Sequence, residues 1–600
     1  MAERSMESLG ESAAAKLRPG AERRGRRFLK PLRAALQSLR RIRRTAGEDG
    51  AARWLLDNWY LAEREGLAAL SELSKAKHLR ACENSAVVLR CCEKLLEACG
   101  GALAEERIEA WLTGFQRALP LTHEEHALLL PAMKASVVVS LAALFALDDP
   151  EDEAVGTHFT ALRTLSALDL GEMLERTDAL DRILRRDPEG IYPKMDRSTR
   201  AQYRAMLALQ ARRRGVFERD HAEALLARAN ASAGDRRHVG FALLEAEPER
   251  PSGRLYIACF LLLTAALSAA LGALAHSVLC AVLLLLPVSE AVRQLQDAVL
   301  RRITRPRLLP RMALEHGVPK AGRTLCVISA LLSSPEEAAR FAARLEEFRL
   351  CSRDAGEHLS FGLLADLREC RTEADPADGE ILRAAQDAIF HLNERYGGGF
   401  SLFTRPRTFA EADGVWRGFE RKRGALLSLA ALLRGRKTDL RRFGDEISLE
   451  EVQFILTLDA DTILTPGAAR ELIAAMLHPL NRPQLDRDRR LVTAGHGLLH
   501  PRIATDLGDA TATDFARLFA GPGGTDAYGG ACGELWQDRY DCGGFAGKGI
   551  LDVDALLLCA SDLPENRILS HDAIEGALLR GGYLADVELV DGCPSKPLSF

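Results

Sequence analysis

Asp459 and Asp461 close the run Phe454-Ile-Leu-Thr-Leu-Asp459-Ala-Asp461-Thr462, in which strand-type apolar residues stop abruptly at two carboxylates one residue apart. Along an extended strand, alternation points both the same way, and the carboxyl end of a strand in an α/β sheet faces the crevice where ligands bind. Hard oxygen ligands at this spacing suit Mg²⁺ or Mn²⁺ on a diphosphate. The chemistry suggested is transfer from a nucleotide-activated donor. A pair so close cannot flank a sugar at the about 5–10 Å that glycoside hydrolysis needs.

Other candidates lie around this pair. Asp366 ends the strand text LSFGLLAD, where a carboxylate can reach the base or ribose of a nucleotide. Glu420-Arg421-Lys422-Arg423-Gly424 sets three cations at the start of a predicted helix, against its dipole, and a diphosphate would repay that placement. Gly543-Gly544-Phe545-Ala546-Gly547-Lys548-Gly549 is a glycine loop whose backbone permits close approach and whose Phe545 offers a face for stacking on a sugar. It lacks the Ser or Thr that a Walker loop places after its Lys. Asp572, in Ser570-His571-Asp572 with Glu575 one turn on, is the candidate general base for an acceptor hydroxyl. Adjacent residues cannot form a Ser-His-Asp relay.

The elements needed to position these residues are legible in the periodicity. From about residue 306, short apolar strands (324–331, 359–364, 400–403) alternate with amphipathic helices (335–350, 379–393, 420–433, 466–477), which argues a mostly parallel sheet. Ser334-Pro335 and Thr465-Pro466 read as helix starts. Residues 50–250 show apolar residues at helical spacing, as in Trp54, Leu55, Asn58, Trp59 and Leu61, and predict an all-α domain. Between them, residues 255–289 carry no charge over about 35 residues, roughly 50 Å as one helix and too long for one upright span. Basic residues flank both ends, so the expectation is a transmembrane hairpin turning near Gly272 to Ser277 with both flanks cytoplasmic.

At 600 residues, 47% hydrophobic and 27% charged, the chain is globular material for several domains. The net charge of −4 hides a dense run of Lys and Arg over residues 16–44, which predicts a basic flexible tail at 1–49; no nucleic-acid partner is expected. Thirteen cysteines without CxxC spacing read as free thiols in a reducing compartment. No apolar segment follows Met1, so no cleaved signal peptide is expected.

Taken in order, Asp366, Asp459-Ala-Asp461, the glycine loop and Ser570-His571-Asp572 resemble processive, membrane-embedded inverting glycosyltransferases of the cellulose synthase type. The closer resemblance is to the glycosyltransferase region of cyclic β-1,2-glucan synthases, and it runs over almost the whole chain. It is carried by Trp54-Leu-Leu-Asp57-Asn58, Tyr192-Pro-Lys-Met-Asp196, Thr199-Arg200, Tyr203-Arg204 and Arg237-His238-Val-Gly240. Leu309-Pro310-Arg311, Trp416 to Gly424, Leu458 to Thr462, His478 to Asn481, Gln537-Asp538, Gly547 to Ile550, Leu569 to Asp572 and Glu575-Gly576 continue it.

The resemblance implies an α/β glycosyltransferase A-type (Rossmann-like) domain over 306–600, behind the helical region and the hairpin. It implies UDP-glucose as donor, a growing β-1,2-glucan as acceptor, Mg²⁺ or Mn²⁺ as cofactor, and a multi-pass inner-membrane location with the catalytic domain cytoplasmic. The roles carried over are Asp572 as base, Asp459 and Asp461 as metal ligands, Asp366, Glu420, Lys422, Arg423 and Asp459 as donor contacts, and Phe545, Gly547, Lys548, Gln537 and Asp538 as acceptor contacts. Departures are Ser329-Ala330 for Pro-Thr, Ala365 before Asp366 with the second acid at Glu369, and Ala425 for a Lys. The chain also stops at Phe600, before the family's Arg-Trp motif and later membrane helices, and reads as the amino-terminal part of a longer polypeptide with further carboxyl-terminal domains. The competing reading is a degenerate, non-catalytic nucleotide-binding or regulatory membrane protein.

Overall fold

The computed structural model describes residues 5–45, 47, 50–147, 150–167, 169, 171–245, 252–411, 413–445, 449–520, 533–541, 543–565, 567–568 and 570–596. Leu569, Phe600 and the junction around residue 250 fall outside them. The chain divides into two compact units, Met1–Pro193 with Arg200–Glu247, and Lys194–Thr199 with Pro248–Phe600.

The first unit is helical, as the periodicity implies, with one addition: Glu22–Arg23, Leu79–Cys82 and Ser85–Ala86 form a small antiparallel sheet, so the unit is not all-α. The basic segment is a second correction. It is not a flexible tail, because helices Met6–Lys16 and Lys30–Thr45 pack into the unit. Leu32, Ala35, Leu36 and Leu39 are buried, while Lys30, Arg33, Arg40, Arg41 and Arg44 are exposed on other sides of the same helix. The high charge density concealed an apolar stripe at helical spacing. Helix Met6–Lys16 is pinned by reciprocal glycines: a Cβ on Gly10 would lie 2.3 Å from the Trp111 carbonyl oxygen, and one on Gly114 1.9 Å from that of Glu7.

In the second unit two apolar helices, Arg254–Leu274 and Val278–Ile303, pack along each other and are joined by a turn within the expected 272–277 window; Ser277 caps the second by accepting from Cys280 N (3.2 Å). Both are long and apolar enough to cross a membrane. Leu262, Leu274, Val278 and Leu286 are each over 70% exposed, so these helices owe their apolar surface to something other than a protein core. The second helix continues 14 residues past Ser289 to Ile303, where Asp297 accepts from the Tyr256 hydroxyl (2.8 Å).

The rest of the unit is built on one sheet of nine strands: β1 (Thr324–Leu332), β2 (Leu359–Leu367), β3 (Phe400–Thr404), β4 (Arg441–Gly444), β5 (Phe454–Asp459), β6 (Ile463–Leu464), β7 (Leu498–Thr505), β8 (Gly549–Asp552) and β9 (Gly582–Asp591), in the order β6-β9-β7-β8-β5-β1-β2-β3-β4. β5-β1-β2-β3 form a continuous parallel block and β9 runs parallel to β7; β8 runs antiparallel between β5 and β7, and β4 antiparallel to β3. The sheet is therefore mixed rather than mostly parallel. Apolar side chains cover both faces, Phe341, Leu345 and Ile473 among those on one, Leu426, Leu429 and Leu556 among those on the other. From β1 the chain moves outward through β2 and β3, then returns to place β5 on the other side of β1. This reversal of direction creates a crevice at the carboxyl ends of β1 and β5.

Candidate active site

Asp459 is the last residue of β5, in register with Ser329 of β1. The strand ends there: the Thr462 N–H turns back to the Asp459 carbonyl (3.2 Å), so a turn, not an extended pleat, carries Asp461. Asp461 is exposed and makes no hydrogen bond or ion pair among the described residues. Asp459 is held from two directions, by Lys422 Nζ at 2.5 Å and by Lys548 Nζ at 3.3 Å. Lys548 also pairs with the buried Asp591, which accepts from the Thr462 hydroxyl (2.9 Å). Burial penalises the Lys548 ammonium, but Asp459, Asp591 and Asp461 outweigh that and raise its pKa.

Beside this pair a cavity of about 300 Å³ opens over the ends of β1 and β2, lined by Ser329, Asp366, Glu369, Arg417, Arg421 and Lys422 among others. Both oxygens of Asp366 are taken by Arg405, at 2.8 and 2.7 Å, and Arg405 also donates to the Arg421 carbonyl (2.8 Å). That clamp stands beside a strained turn, since Glu420 and Arg421 have φ of 54° and 50°. Ser329 Oγ is buried without a hydrogen-bond partner, and Glu369 meets Arg421 at 3.1 Å. Of the three expected phosphate cations, Lys422 and Arg421 line the cavity. Arg423 does not: it is buried and ion-paired with Glu420, and those two donor-contact assignments give way to a structural pair that sets the turn.

Lys422 Nζ also donates to the Gly547 carbonyl (2.6 Å), linking the Asp459 side of the crevice to the glycine loop. Gly547 has φ of 76°, and a Cβ there would lie 3.1–3.3 Å from the carboxylate of Asp572, so only glycine lets that acid sit against the loop. Asp572 begins helix Asp572–Leu578 and its Oδ1 is buried with no hydrogen-bond partner. His571 Nδ1 lies 2.9 Å from Glu575 and 3.5 Å from Asp572. Burial disfavours the imidazolium, but the Glu575 contact and the charges of Glu575 and Asp572 more than offset this and raise the His571 pKa. The three side chains bring ligand atoms within 4.8 Å of one another. A histidine drawn toward its protonated form competes with metal binding, so this cluster suits proton handling better.

The expected acceptor contacts fare differently. Phe545 is not a sugar platform, because it is 3% exposed and packs edge-on to His500 inside the core beneath the loop. Gln537 is buried and spans the backbone of Tyr583 in both directions, donating to its carbonyl (2.9 Å) and accepting from its N–H (2.5 Å). Asp538 accepts from Arg307 N (2.8 Å), and burial together with Glu534 pushes its pKa up to about 6. Gln537 and Asp538 thus secure helix Leu535–Tyr540, and Lys548 is a strut between Asp459 and Asp591. Gly547 alone of the five stands where its backbone meets the candidate base. Arg405, Asp591 and Arg417 were not expected. Arg405 follows the last residue of β3, but nothing in its local sequence marks a partner 39 positions away.

No family model matches the chain. The chain is similar to the cyclic beta-(1,2)-glucan synthase NdvB of Rhizobium meliloti (strain 1021), with 35% identity over 317 residues. That aligned stretch is 52% of this chain and 11% of that protein, so the chain spans about a tenth of its relative. The resemblance read from the motifs is supported over about half of the chain.

Proposed function

We propose that the second unit is an inverting glycosyltransferase of the A-type that moves glucose from UDP-glucose onto a growing β-1,2-glucan at a membrane. The observation that supports this most is one crevice, at the reversal point of the sheet, holding Asp459, Asp461 and Lys422 on one side and Asp572 on the other, joined through Lys422 and Gly547. The similarity to a β-1,2-glucan synthase supports the sugar and the linkage.

In this reading the cavity beneath Ser329 and Asp366 takes the uridine, and Arg421, Lys422 and Lys548 offset the diphosphate charge. The exposed carboxylate of Asp461, with Asp459, fits a hard Mg²⁺ or Mn²⁺, which when bound would supply charge to the leaving diphosphate. The acceptor oxygen attacks the anomeric carbon as the bond to the diphosphate breaks, and its proton passes to Asp572. The Asp572 carboxylate, whose Oδ1 accepts no hydrogen bond, has the accepting capacity for that proton, and the His571–Glu575 pair orients the acid from behind, with His571 Nδ1 3.5 Å from that oxygen. The helices Arg254–Leu274 and Val278–Ile303 would cross the inner membrane and return, leaving both flanks cytoplasmic. Single cysteines placed before 254 and after 303 should be reached by an impermeant thiol reagent from the same side; labelling from opposite sides would overturn the hairpin.

Membranes carrying the chain, given labelled UDP-glucose and Mn²⁺, should yield a glucan whose linkage analysis reads 1,2. UDP binding without any transfer would favour the regulatory reading instead, which the engagement of Asp459 by two lysines makes worth testing.

A further inference from the structure

We propose that the first unit holds one acyl chain of an anionic phospholipid in a cavity behind its basic segment, with the lipid phosphate on the cations of residues 26–33. The cavity measures about 550 Å³, within the range of pockets that hold small organic ligands, and its walls include Phe28, Leu29, Leu32, Leu89, Leu96 and Val139. The charged and imidazole groups in its wall are already engaged. Arg90 bonds Glu83 (3.0 Å) and Glu93 (2.8 Å), Glu97 pairs with Lys94 (2.7 Å), and His158 is held between the Ala154 carbonyl (2.7 Å) and Ser140 (2.9 Å). With those charges engaged, the wall offers a sugar or nucleotide chiefly the small amide and hydroxyl groups of Asn84, Ser85 and Ser136, whereas its apolar stretch suits a hydrocarbon chain.

The same stretch of chain that supplies the apolar wall also supplies free positive charge. Phe28, Leu29 and Leu32 are buried, and the residues between and before them, Arg26, Arg27, Lys30 and Arg33, are exposed with no acidic partner among the described residues. Positions 23 to 44 hold ten Lys and Arg residues and no acid. An apolar chamber behind a cationic lip matches an amphiphile with a hydrocarbon tail and an anionic head. A phospholipid is the amphiphile at hand for a chain carrying two helices apolar enough for a bilayer.

The test uses the full chain in phosphatidylcholine nanodiscs containing a trace of phosphatidylglycerol with a photoreactive group midway along one acyl chain. Irradiation should place adducts in helices Val87–Ala98 and Leu129–Leu144 as well as in the apolar helices. Unlabelled phosphatidylglycerol should compete at the first two sites and phosphatidylcholine should not. Filling the cavity with Val139→Phe and Ala143→Phe, or separately neutralising it with Arg26→Gln, Arg27→Gln, Lys30→Gln and Arg33→Gln, should cut those adducts at least about fivefold while labelling of Arg254–Leu274 stays constant. The second variant changes only exposed side chains, so it remains decisive if the first unfolds the unit. Adducts confined to the apolar helices would overturn the site, equal competition by phosphatidylcholine would overturn the anionic head, and displacement by palmitate but not by phosphatidylglycerol would overturn the phospholipid.

Discussion

Two clusters of mixed charge, one in each unit, differ in how far their acids are engaged. In the helical unit Arg204 is buried among Glu175 (2.8 Å), Asp178 (3.1 Å) and Asp181 (2.9 Å), with Arg200 on Glu175 (2.7 Å) and the Tyr192 hydroxyl on Asp181 (3.0 Å). Next to it His238 bridges Asp187 (2.8 Å) and Tyr203 (3.1 Å). Hydrogen bonds from Arg200 and Arg204 overcome the burial of Glu175 and hold its pKa down to about 2. The crevice of the second unit instead keeps Asp461 exposed and one oxygen of Asp572 without a hydrogen bond. Both clusters contain residues of the motifs singled out in the sequence, so motif residues by themselves do not mark chemistry. A network whose acids are all ion-paired fixes a fold; acids left with spare capacity beside a cavity are where a substrate can bind.

The contrast can be broken most sharply at Asp572. Asp572→Asn should lower transfer by about 10²–10⁴-fold while UDP-glucose still binds, because only a proton acceptor is removed. Near-normal turnover would shift the base to Glu575 or out of this segment. On the closed side, Arg204→Met should cost about 3–5 kcal/mol, since Glu175, Asp178 and Asp181 lose their shared counter-ion in a buried site. Thermal unfolding read by hydrogen exchange in helix Glu218–Ala231 measures it, and an unchanged profile would show the network to be dispensable.

A smaller effect is expected from Asp461→Asn, which should weaken Mn²⁺-dependent UDP binding by about tenfold or more with the fold intact. Titration calorimetry with and without Mn²⁺ decides it; equal binding by both proteins would remove Asp461 from the metal reading. The gentlest test is pH. Burial, with a contribution from the Asp178 charge, raises Glu218 to about 7 although it accepts from the His123 N–H (2.7 Å). The folded state therefore holds that proton more tightly than the unfolded chain, whose value is 4.5. Its contribution is present below 4.5 and is lost as pH rises toward 7, so protection of helix Glu218–Ala231 should fall across that window and Glu218→Gln should flatten it. Glu175 works in the opposite sense, losing stability as pH falls from 4.5 toward 2.

Much of the layout was legible because it rests on local periodicity. Ser334 caps its helix as expected, accepting from Glu337 N (3.3 Å), and β1, β2 and β3 lie within three residues of their predicted bounds. The carboxylates Asp366, Asp459 and Asp572 stand out because each closes or opens an element. Thr465 was less transparent: its hydroxyl bonds the Glu588 carbonyl (2.5 Å) and the helix starts later, at Ala468. Phe545 misled because a ring suited to stacking on a sugar is equally suited to anchoring a loop, and Gln537, carried over from the resemblance, bonds the Tyr583 backbone instead. Several of the motifs singled out in the sequence are of this kind. Asn481 donates to the Pro310 carbonyl (2.8 Å), Arg311 N to Thr199 (2.9 Å), and the Arg311 guanidinium to Glu471 (2.9 Å), knitting the second unit together away from the crevice.

By itself the sequence determined the helical first unit, the two apolar helices, the alternation of strands and helices, and the acids at strand and helix ends, because each is written in residues a few positions apart. Which acids remain available was decided only by tertiary structure. Arg405 reaches Asp366 across 39 positions, Lys422 reaches Gly547 across 125, and Lys548 ties Asp459 to Asp591. A carboxylate's role depends on the charges that fold against it, and those come from strands made neighbours by the sheet order rather than by the chain.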